Sequence, residues 1–239
     1  MRDKALHKET HAWIFVKSDS IDFPERNKLL LNGKPLIAYT IEAALKSRHI
    51  KKVFISTDSP DIAAVSEQYG AIVPFLRSRE LSTDEVPIYQ VWRDAVQWNR
   101  NQNEFPLMDI MVSLPMTVPL RSAEDIDAGI ELYRQGEADM VVAVSPSNRN
   151  PAYDMVRMNE NNDINLILNN DDPLARQRSW CAYDLTNMYF ICNADFAAEE
   201  TNFFRRRTKA LEVPREKSFD ICNKIDLKLA EMILSGAVK

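Results

Sequence analysis

The sequence predicts an α/β fold, a Rossmann-like and mostly parallel sheet with helices on both faces. Short apolar runs rich in β-branched and aromatic residues alternate with segments of helical periodicity along most of the chain. Short buried strands separated by helices are typical of parallel sheets that are covered on both faces. The 239 residues suit a single domain, which would bury about 70 to 75% of its unfolded surface. Ligands are then expected at the carboxyl ends of the strands.

The first half of the chain contains three strand–helix pairs. Strands are predicted over residues 13–16, 52–55 and 71–75, and helices over 36–47, 60–69 and 88–98. Each pair forms part of a βαβ unit, so the three strands are expected to lie parallel.

The second half continues this alternation and then interrupts it. A strand at 109–114, a helix at 123–134 and a strand at 140–145 come first, and a strand at 187–192 and a helix at 224–234 close the chain. Between them, residues 148–178 are rich in Asn and Asp and have weak periodicity, which predicts loops and short strands. We expect one domain over 1–239, with an excursion at about 148–190 that covers substrate or forms a dimer.

Composition excludes several classes of protein. The chain is 45% hydrophobic and 27% charged, with a net charge of −5, so neither disorder nor a general affinity for nucleic acid is expected. Three cysteines, Cys181, Cys192 and Cys222, have no CxxC spacing, which disfavours disulfides and structural zinc and fits a reducing cytoplasm. No segment reaches the roughly 18 apolar residues of a membrane span, and the N-terminus lacks a signal core. A soluble, cytoplasmic protein is expected.

The loop after the first strand, residues 17–28, is polar and contains no glycine. In α/β domains this first strand-to-helix connection usually holds phosphate, because backbone N–H groups and the helix dipole favour an anion there. Phosphate loops normally use glycine for the positive φ angles that such a loop adopts. We call residues 17–28 the first loop.

Several blocks of sequence closely resemble the acylneuraminate cytidylyltransferases. They lie, in the order and spacing of that family, at residues 32–45, 53–58, 69–77, 81–84, 114–127, 176–177 and 218–221, so the resemblance covers about 11–235. It implies a nucleotide-diphospho-sugar transferase-like fold and a homodimer. The implied reaction is attack by the anomeric hydroxyl of a nonulosonic acid, such as a sialic acid, on the α-phosphate of CTP. Pyrophosphate leaves and Mg²⁺ assists.

The first loop keeps only part of the family's pattern. Its glycines have become Ser18, Asp19 and Asp22, and its central lysine has become Ile21. Four other positions of the loop keep the family's residue or its charge: Lys17, Ser20, Arg26 and Asn27. The resemblance implies that these four residues bind the nucleotide together with Thr83 of the 81–84 block. It also implies a catalytic role for Arg26. Pro24 also matches.

The substitutions in the first loop leave two interpretations open. A carboxylate near a triphosphate costs electrostatic energy, so the loop is either rebuilt for CTP or an ordinary connector with solvated charges. Asp19 or Asp22 would fit a rebuilt loop by holding Mg²⁺, which prefers oxygen ligands. Restoring glycine at Ser18 and Asp19 and lysine at Ile21 is expected to raise CTP affinity if the loop still binds CTP.

A second group follows the strand at 109–114. Pro115 stands where the family has a substrate-contacting glutamine, and proline cannot donate that hydrogen bond. The resemblance implies that Thr117 binds substrate. Arg121 has two open roles: it faces a substrate carboxylate, or it anchors the helix start at Ser122 and Asp125, which resembles a capping box.

The remaining candidates lie in the last third of the chain. The resemblance places Arg176 on the substrate, with Gln177 beside it and Tyr183 as a further substrate-binding candidate; Tyr183 also suits an interface. Asp220 is the implied catalytic Mg²⁺ ligand, although Cys222 replaces the second carboxylate of the family's pair and is a poor ligand for a hard cation. The alternative role for Asp220 is the N-cap of a short turn before the final helix.

Two rival functions remain open at the level of sequence. The departures in the first loop, at Pro115 and at Cys222 also fit a catalytically impaired homologue that binds a nucleotide or sugar or acts as a scaffold. A cytidylyltransferase for a different acidic sugar is the other alternative. In the enzymatic case the partners are CTP and an acidic sugar, with no nucleic acid and no membrane.

Overall fold

The computed structural model describes residues 8–18, 29–169, 174, 177 and 180–237. The strands, in chain order, are β1 (Lys8–Phe15), β2 (Leu30–Leu31), β3 (Lys34–Pro35), β4 (Lys52–Ser56), β5 (Leu107–Ser113), β6 (Met140–Pro146), β7 (Val156–Met158), β8 (Ile164–Leu166), β9 (Tyr183–Asn193) and β10 (Thr208–Glu212). The helices are α1 (Leu36–Lys46), α2 (Pro60–Gln68), α3 (Ile88–Asn101), α4 (Ala123–Arg134), α5 (Ala194–Glu199) and α6 (Lys224–Leu234).

A six-stranded sheet in the order β10-β6-β9-β5-β1-β4 forms the centre of the described structure. β1 pairs in parallel with β4 and β5, and β10 pairs in parallel with β6. β9 runs antiparallel between β5 and β6. The prediction of a mostly parallel sheet is confirmed, with β9 as the exception.

The core lies on both faces of this sheet, as predicted. Successive residues of β1 illustrate this, because Trp13 and Ile14 are both fully buried but pack into different hydrophobic clusters. Trp13 stacks on Phe54 and meets the edge of Trp98 from α3. Ile14 belongs to the cluster that includes residues of α1 and α4. The period of two along a strand directs neighbouring side chains to opposite faces.

The predicted strand at 71–75 is wrong as a regular strand. This segment makes only isolated bridges to the outer edge of the sheet, Phe54 with Ile72 and Thr57 with Leu76. Pro74 explains the interruption, because it lacks the N–H that a continuous ladder requires. The predicted helices over 36–47, 60–69, 88–98, 123–134 and 224–234 are confirmed to within three residues.

The excursion contains a small antiparallel hairpin. Its strands β7 and β8 pair Met158 with Ile164, and both side chains are exposed, by 66% and 62%. Residues 170–173, 175–176 and 178–179 of the excursion lie outside the described residues. The predicted loops and short strands are confirmed where the structure describes them.

His11 makes the fold sensitive to acid. It is fully buried in β1 against the ring of Phe54, and its Nε2 lies 3.4 Å from a Glu9 carboxylate oxygen. Burial lowers the pKa of His11 to about 4, with Lys52 lowering it further and Glu9 opposing the shift. The unfolded chain therefore binds this proton more tightly than the folded chain between pH 6.5 and about 4.

We expect the free energy of unfolding to fall as pH drops through this window, by up to about 3 kcal/mol from His11 alone. Chemical denaturation of the parent and of His11→Gln at pH 7, 5.5 and 4.5 measures the effect. The variant should show a shallower pH dependence, because the group that charges on unfolding is gone. Identical pH slopes for the two proteins would contradict this assignment.

Candidate active site

A cleft of about 470 Å³ opens at the carboxyl ends of β1 and β5, where ligands were expected. The ends of β1 and β5 supply one side, the segment from Arg77 to α3 supplies a second, and Asn187 of β9 with the loop before α6 supplies a third. The lining residues include Val16, Lys17, Arg77, Leu81, Thr83, Asp84, Pro115, Met116, Thr117, Asn187, Asp220 and Cys222.

The first loop is described only at its start. The Lys17 ammonium pairs with the carboxylate of Asp84, which belongs to the 81–84 block. Ser18 donates two hydrogen bonds to Asp58, from its backbone N–H at 2.7 Å and from its hydroxyl at 2.6 Å. The candidates Ser20, Arg26 and Asn27, as well as Asp19, Ile21 and Asp22, lie outside the described residues.

Arg77 is a positive charge in the cleft wall that the sequence analysis did not identify as a site residue. Its side chain is buried, with Nε donating to the Ser82 hydroxyl at 2.9 Å and Nη1 to the Ser56 carbonyl at 3.4 Å. Burial lowers the pKa of Arg77, while the carboxylates of Asp58 and Asp94 raise it. The guanidinium therefore remains protonated at neutral pH. Thr83, a predicted nucleotide-binding residue, is exposed in the same wall.

Arg121 is a structural residue below the cleft floor. Its guanidinium is buried and donates to the carbonyls of Met188, Pro115 and Val118 and to the Thr40 hydroxyl. Burial lowers the pKa of Arg121 to about 9, so it stays charged at neutral pH. These contacts hold the 115–118 loop, β9 and α1 together and do not include the helix start at Ser122 and Asp125. Arg121 is therefore structural, through contacts other than the predicted ones. Pro115 lacks the glutamine's donor, but its carbonyl holds Arg121.

The start of α4 forms the capping box that the sequence predicted. The Ser122 hydroxyl accepts the Asp125 N–H, and the Asp125 carboxylate accepts the Ser122 N–H at 2.9 Å. Lys217 donates to the same carboxylate at 2.9 Å and links α4 to the turn before Ser218. The loop that carries Asp220 is thus tied to a helix start.

Asp220 faces the cleft with one of its two carboxylate oxygens available. Oδ2 accepts a 2.6 Å hydrogen bond from the Asn187 amide, whereas Oδ1 is buried and accepts none from the described residues. The final helix α6 is capped by Asn223, in a capping box with Asp226. The positive charge of the buried Arg121 interacts favourably with the Asp220 carboxylate.

The donor set at Asp220 fits a magnesium ion held jointly by protein and phosphate. The described residues contain no cluster of three or more His, Cys, Asp or Glu arranged to hold a metal. Mg²⁺ nevertheless commonly takes only one or two carboxylates and completes its shell with water and substrate phosphates. The available Oδ1 of Asp220 is an oxygen of this kind. Cys222 also lines the cleft, and its N–H donates to Asp226 at 2.8 Å.

A smaller groove of about 190 Å³ continues the cleft beyond Asn187 and Asp220. Arg215, an exposed cation that sequence reasoning did not single out, lines it together with Ser145, Asp184, Leu185, Thr186, Ser218 and Phe219. Because the groove and the cleft share the Asn187–Asp220 pair, they form one continuous surface. A substrate longer than a nucleotide has room along it.

The three predicted substrate-binding residues that the structure describes are not gathered in one place. Thr117 lines the cleft, and its carbonyl accepts the Ile221 N–H at 2.8 Å, which links the Asp220 loop to the end of β5. Tyr183 is exposed at the start of β9, where a hydrogen bond to the Glu212 carboxylate raises its pKa. Gln177 is exposed and is not among the residues that line the cleft. Arg176 lies outside the described residues.

Sequence comparison relates most of the chain to one family. The family model for cytidylyltransferases matches residues 14–237. A CMP-N,N'-diacetyllegionaminic acid synthase of Legionella pneumophila is 32% identical over 232 residues, which cover 93% of this chain and 95% of the relative. An N-acylneuraminate cytidylyltransferase of Escherichia coli is 32% identical over 220 residues, or 92% of this chain. The match covers 50% of that longer relative.

Structural comparison shows the same fold. A CMP-2-keto-3-deoxy-manno-octonic acid synthetase solved with CTP superposes with a TM-score of 0.68, covering 97% of this chain and 100% of that one at 13% identity. This supports the nucleotide-diphospho-sugar transferase-like fold. Within the described ranges, every helix is too short or too polar to cross a membrane.

Proposed function

The chain belongs to the cytidylyltransferase family, and we propose that it transfers CMP from CTP to a nonulosonic acid with release of pyrophosphate. The relatives at about 30% identity include enzymes named for the sialic, legionaminic and pseudaminic acids, all of them nonulosonic acids. The observation that carries the proposal is the cleft itself, whose lining contains both the buried Arg77 and Asp220, with a carboxylate oxygen that has no hydrogen-bond partner among the described residues. Phosphoryl transfer requires this combination of cation and metal ligand.

The chemistry demands positioning more than a nucleophilic side chain. The anomeric hydroxyl of the sugar attacks the α-phosphorus of CTP, loses its proton, and displaces pyrophosphate. Negative charge spreads over the phosphate oxygens, so cations and N–H donors around them lower the barrier. We propose Lys17, Ser20, Arg26, Asn27 and Thr83 for contacts with the nucleotide, and Arg77 supplements them from the cleft wall.

Asp220 is the proposed metal ligand. A divalent cation, which we take to be Mg²⁺, would neutralise phosphate charge there and polarise the bond that is attacked. Asn187 fixes the carboxylate through Oδ2 and leaves Oδ1 without a hydrogen-bond donor among the described residues. A fixed carboxylate binds a cation with less loss of entropy than a mobile one.

The sugar is proposed to lie along the groove beyond Asp220. Nonulosonic acids carry a carboxylate, and Arg215 supplies a cation on that side. Arg176, Thr117, Gln177 and Tyr183 remain proposed contacts by resemblance. This arrangement places the sugar on the Asp220 side of the cleft, where its anomeric hydroxyl has to meet the α-phosphorus of CTP.

Incubation of the purified protein with CTP, Mg²⁺ and a panel of nonulosonic acids tests the function. Sialic, legionaminic and pseudaminic acids form the core of the panel, and pyrophosphate release is the readout. Formation of the CMP-sugar with at least one member supports the proposal. Absence of pyrophosphate with every member, under conditions where a related synthetase is active, would overturn it.

We further propose a homodimer formed through the excursion, in a reducing cytoplasm. Apolar side chains on and around the β7–β8 hairpin are exposed, which is unusual unless another surface covers them; they are Met155, Val156, Met158, Ile164, Ile167, Leu168, Trp180 and Leu185. All three cysteines are free, which suits a reducing compartment.

Replacing Met158 with lysine should shift the protein from dimer to monomer. The side chain is 66% exposed on the hairpin, so a charge there costs little in the monomer but is desolvated in an interface. Light scattering after size exclusion, with the matched surface variant Asn161→Lys as control, gives the mass. A monomeric parent, or a dimer that survives Met158→Lys, would count against this interface.

A further inference from the structure

The contact between Ser18 and Asp58 has no role in the reaction described above, although it lies at the start of the first loop. Both oxygens of one carboxylate are used: Oδ1 accepts the Ser18 N–H at 2.7 Å, and Oδ2 accepts the Ser18 hydroxyl at 2.6 Å. The two residues are 40 positions apart in the chain. They meet because β1 and β4 are parallel neighbours, so the segments leaving both strands emerge at the same edge.

Asp58 is held in place from both sides. Thr57 before it is buried, and its carbonyl accepts the Arg77 N–H at 2.8 Å. Ser59 after it caps α2 by accepting the Ile62 N–H. The buried guanidinium of Arg77 also attracts the Asp58 charge. A carboxylate fixed in this way is a firm attachment point for a neighbouring segment.

Serine contributes more to this contact than glycine would. Glycine at position 18 would keep the N–H bond to Oδ1 but lack the hydroxyl that bonds Oδ2. A hydrogen bond to a charged acceptor is stronger than a neutral one, and serine also has less backbone freedom to lose on ordering. Serine in place of glycine at position 18 therefore has two effects. It adds a hydrogen bond to Asp58, and it lowers the backbone freedom of the same residue.

We propose that Asp58 is a positioning residue that anchors the start of the first loop, and that Ser18 makes this anchor two-pronged. The expected effect on CTP binding rests on the proposed function, whereas the anchoring contact between Ser18 and Asp58 is independent of it. The anchor at Ser18 fixes the backbone next to Lys17 before the nucleotide binds, so less binding energy is lost in ordering that side chain. Lys17, adjacent to the anchor and paired with Asp84, is held at the cleft by the same contact.

CTP affinity is the first readout. Ser18→Ala and Asp58→Asn should each raise the Kd for CTP about tenfold, the factor that loss of one charge-assisted hydrogen bond at a partly exposed position produces. Ser18→Thr keeps the hydroxyl and should bind like the parent. Ser18→Gly should also raise the Kd for CTP. If the family's glycine were better for CTP at this position, the same variant would lower the Kd instead.

A matched control separates anchoring from simple charge. Asp58→Asn also removes a negative charge near the triphosphate, which by itself favours CTP. Asp61→Asn, in the first turn of α2, removes the same charge nearby without touching the Ser18 contact. Weaker binding in Asp58→Asn together with unchanged or tighter binding in Asp61→Asn supports the anchor. The double variant Ser18→Ala/Asp58→Asn should lose no more than either single variant.

Tryptic cleavage without nucleotide is the second readout, and it is independent of the reaction. Cleavage after Arg26 and Lys28 should be several-fold faster in Ser18→Ala and Asp58→Asn than in the parent and Ser18→Thr. Equal cleavage rates would overturn the anchor. Faster cleavage with an unchanged Kd for CTP would overturn its positioning role. Faster cleavage in a parent that binds no CTP would leave the anchor standing and remove the proposed function instead.

Discussion

Asp220→Asn will reduce CMP transfer by at least about a hundredfold while leaving the fold intact, the size of loss seen when a main stabiliser of transition-state charge is removed. The substitution keeps the shape of the side chain and an acceptor for the Asn187 amide. It removes the negative charge, and with it the affinity of the available Oδ1 position for a divalent cation. Pyrophosphate release measures the loss.

Two further measurements make this result specific to the metal. Binding of Mn²⁺, followed by electron paramagnetic resonance with CTP present, should weaken in parallel with activity. Glu216→Gln, an equal change of charge at an exposed position in the preceding turn, should leave both unchanged. Full activity in Asp220→Asn, or lost activity with unaltered Mn²⁺ binding, would contradict the assignment of Asp220 as the ligand.

Cys222→Asp provides the complementary gain. Cys222 lines the cleft close to Asp220 in sequence, and a thiol is a poor ligand for a hard cation. A second carboxylate at this position should tighten Mn²⁺ binding several-fold, since ligand charge is a main determinant of affinity for hard cations. If this loop had only a structural role, Asp220→Asn would not weaken Mn²⁺ binding while Cys222→Asp tightens it.

The sheet could be predicted because its strands are short, apolar and buried. The runs at 52–55 and 140–145 lie in β-strands, and the run at 13–16 extends one residue beyond the end of β1, since continuous burial leaves a strong compositional signal. β10 was not predicted because it pairs only with β6 at the sheet edge, and Lys209 and Glu212 interrupt its apolar character. The direction of β9 depends on the path of the excursion before it, and periodicity carries no information on direction.

The candidate site was predictable residue by residue only where a motif marks the chemistry. Asp220 and Thr117 stand in blocks that resemble the family, and both line the cleft. Arg77 also lies in such a block, but its importance comes from burial between Ser56 and Ser82, which the chain brings together only on folding. The Ser18–Asp58 contact has no sequence signal either, because it depends on the adjacency of β1 and β4.

The roles of Arg121 show how the structure decides between two interpretations of one residue. An arginine in a block that resembles a family motif, close to a cleft, is a plausible partner for a substrate carboxylate. Its guanidinium instead faces three carbonyls and the Thr40 hydroxyl inside the protein. It joins the 115–118 loop, β9 and α1, and the cost of removing it should appear in stability.

Arg121→Ala is expected to lower the free energy of unfolding by about 4 kcal/mol, because it leaves several buried carbonyls without a donor. Urea denaturation at pH 7 measures this loss. Arg121→Lys keeps the charge but not the planar fork, so it should fall between the alanine variant and the parent. A substrate-binding role would give the opposite pattern: near-parent stability in both variants and a raised KM for the sugar. Since the free energy of unfolding of a domain is about 5 to 15 kcal/mol, the alanine variant should stay mostly folded in water but unfold at a clearly lower urea concentration than the parent.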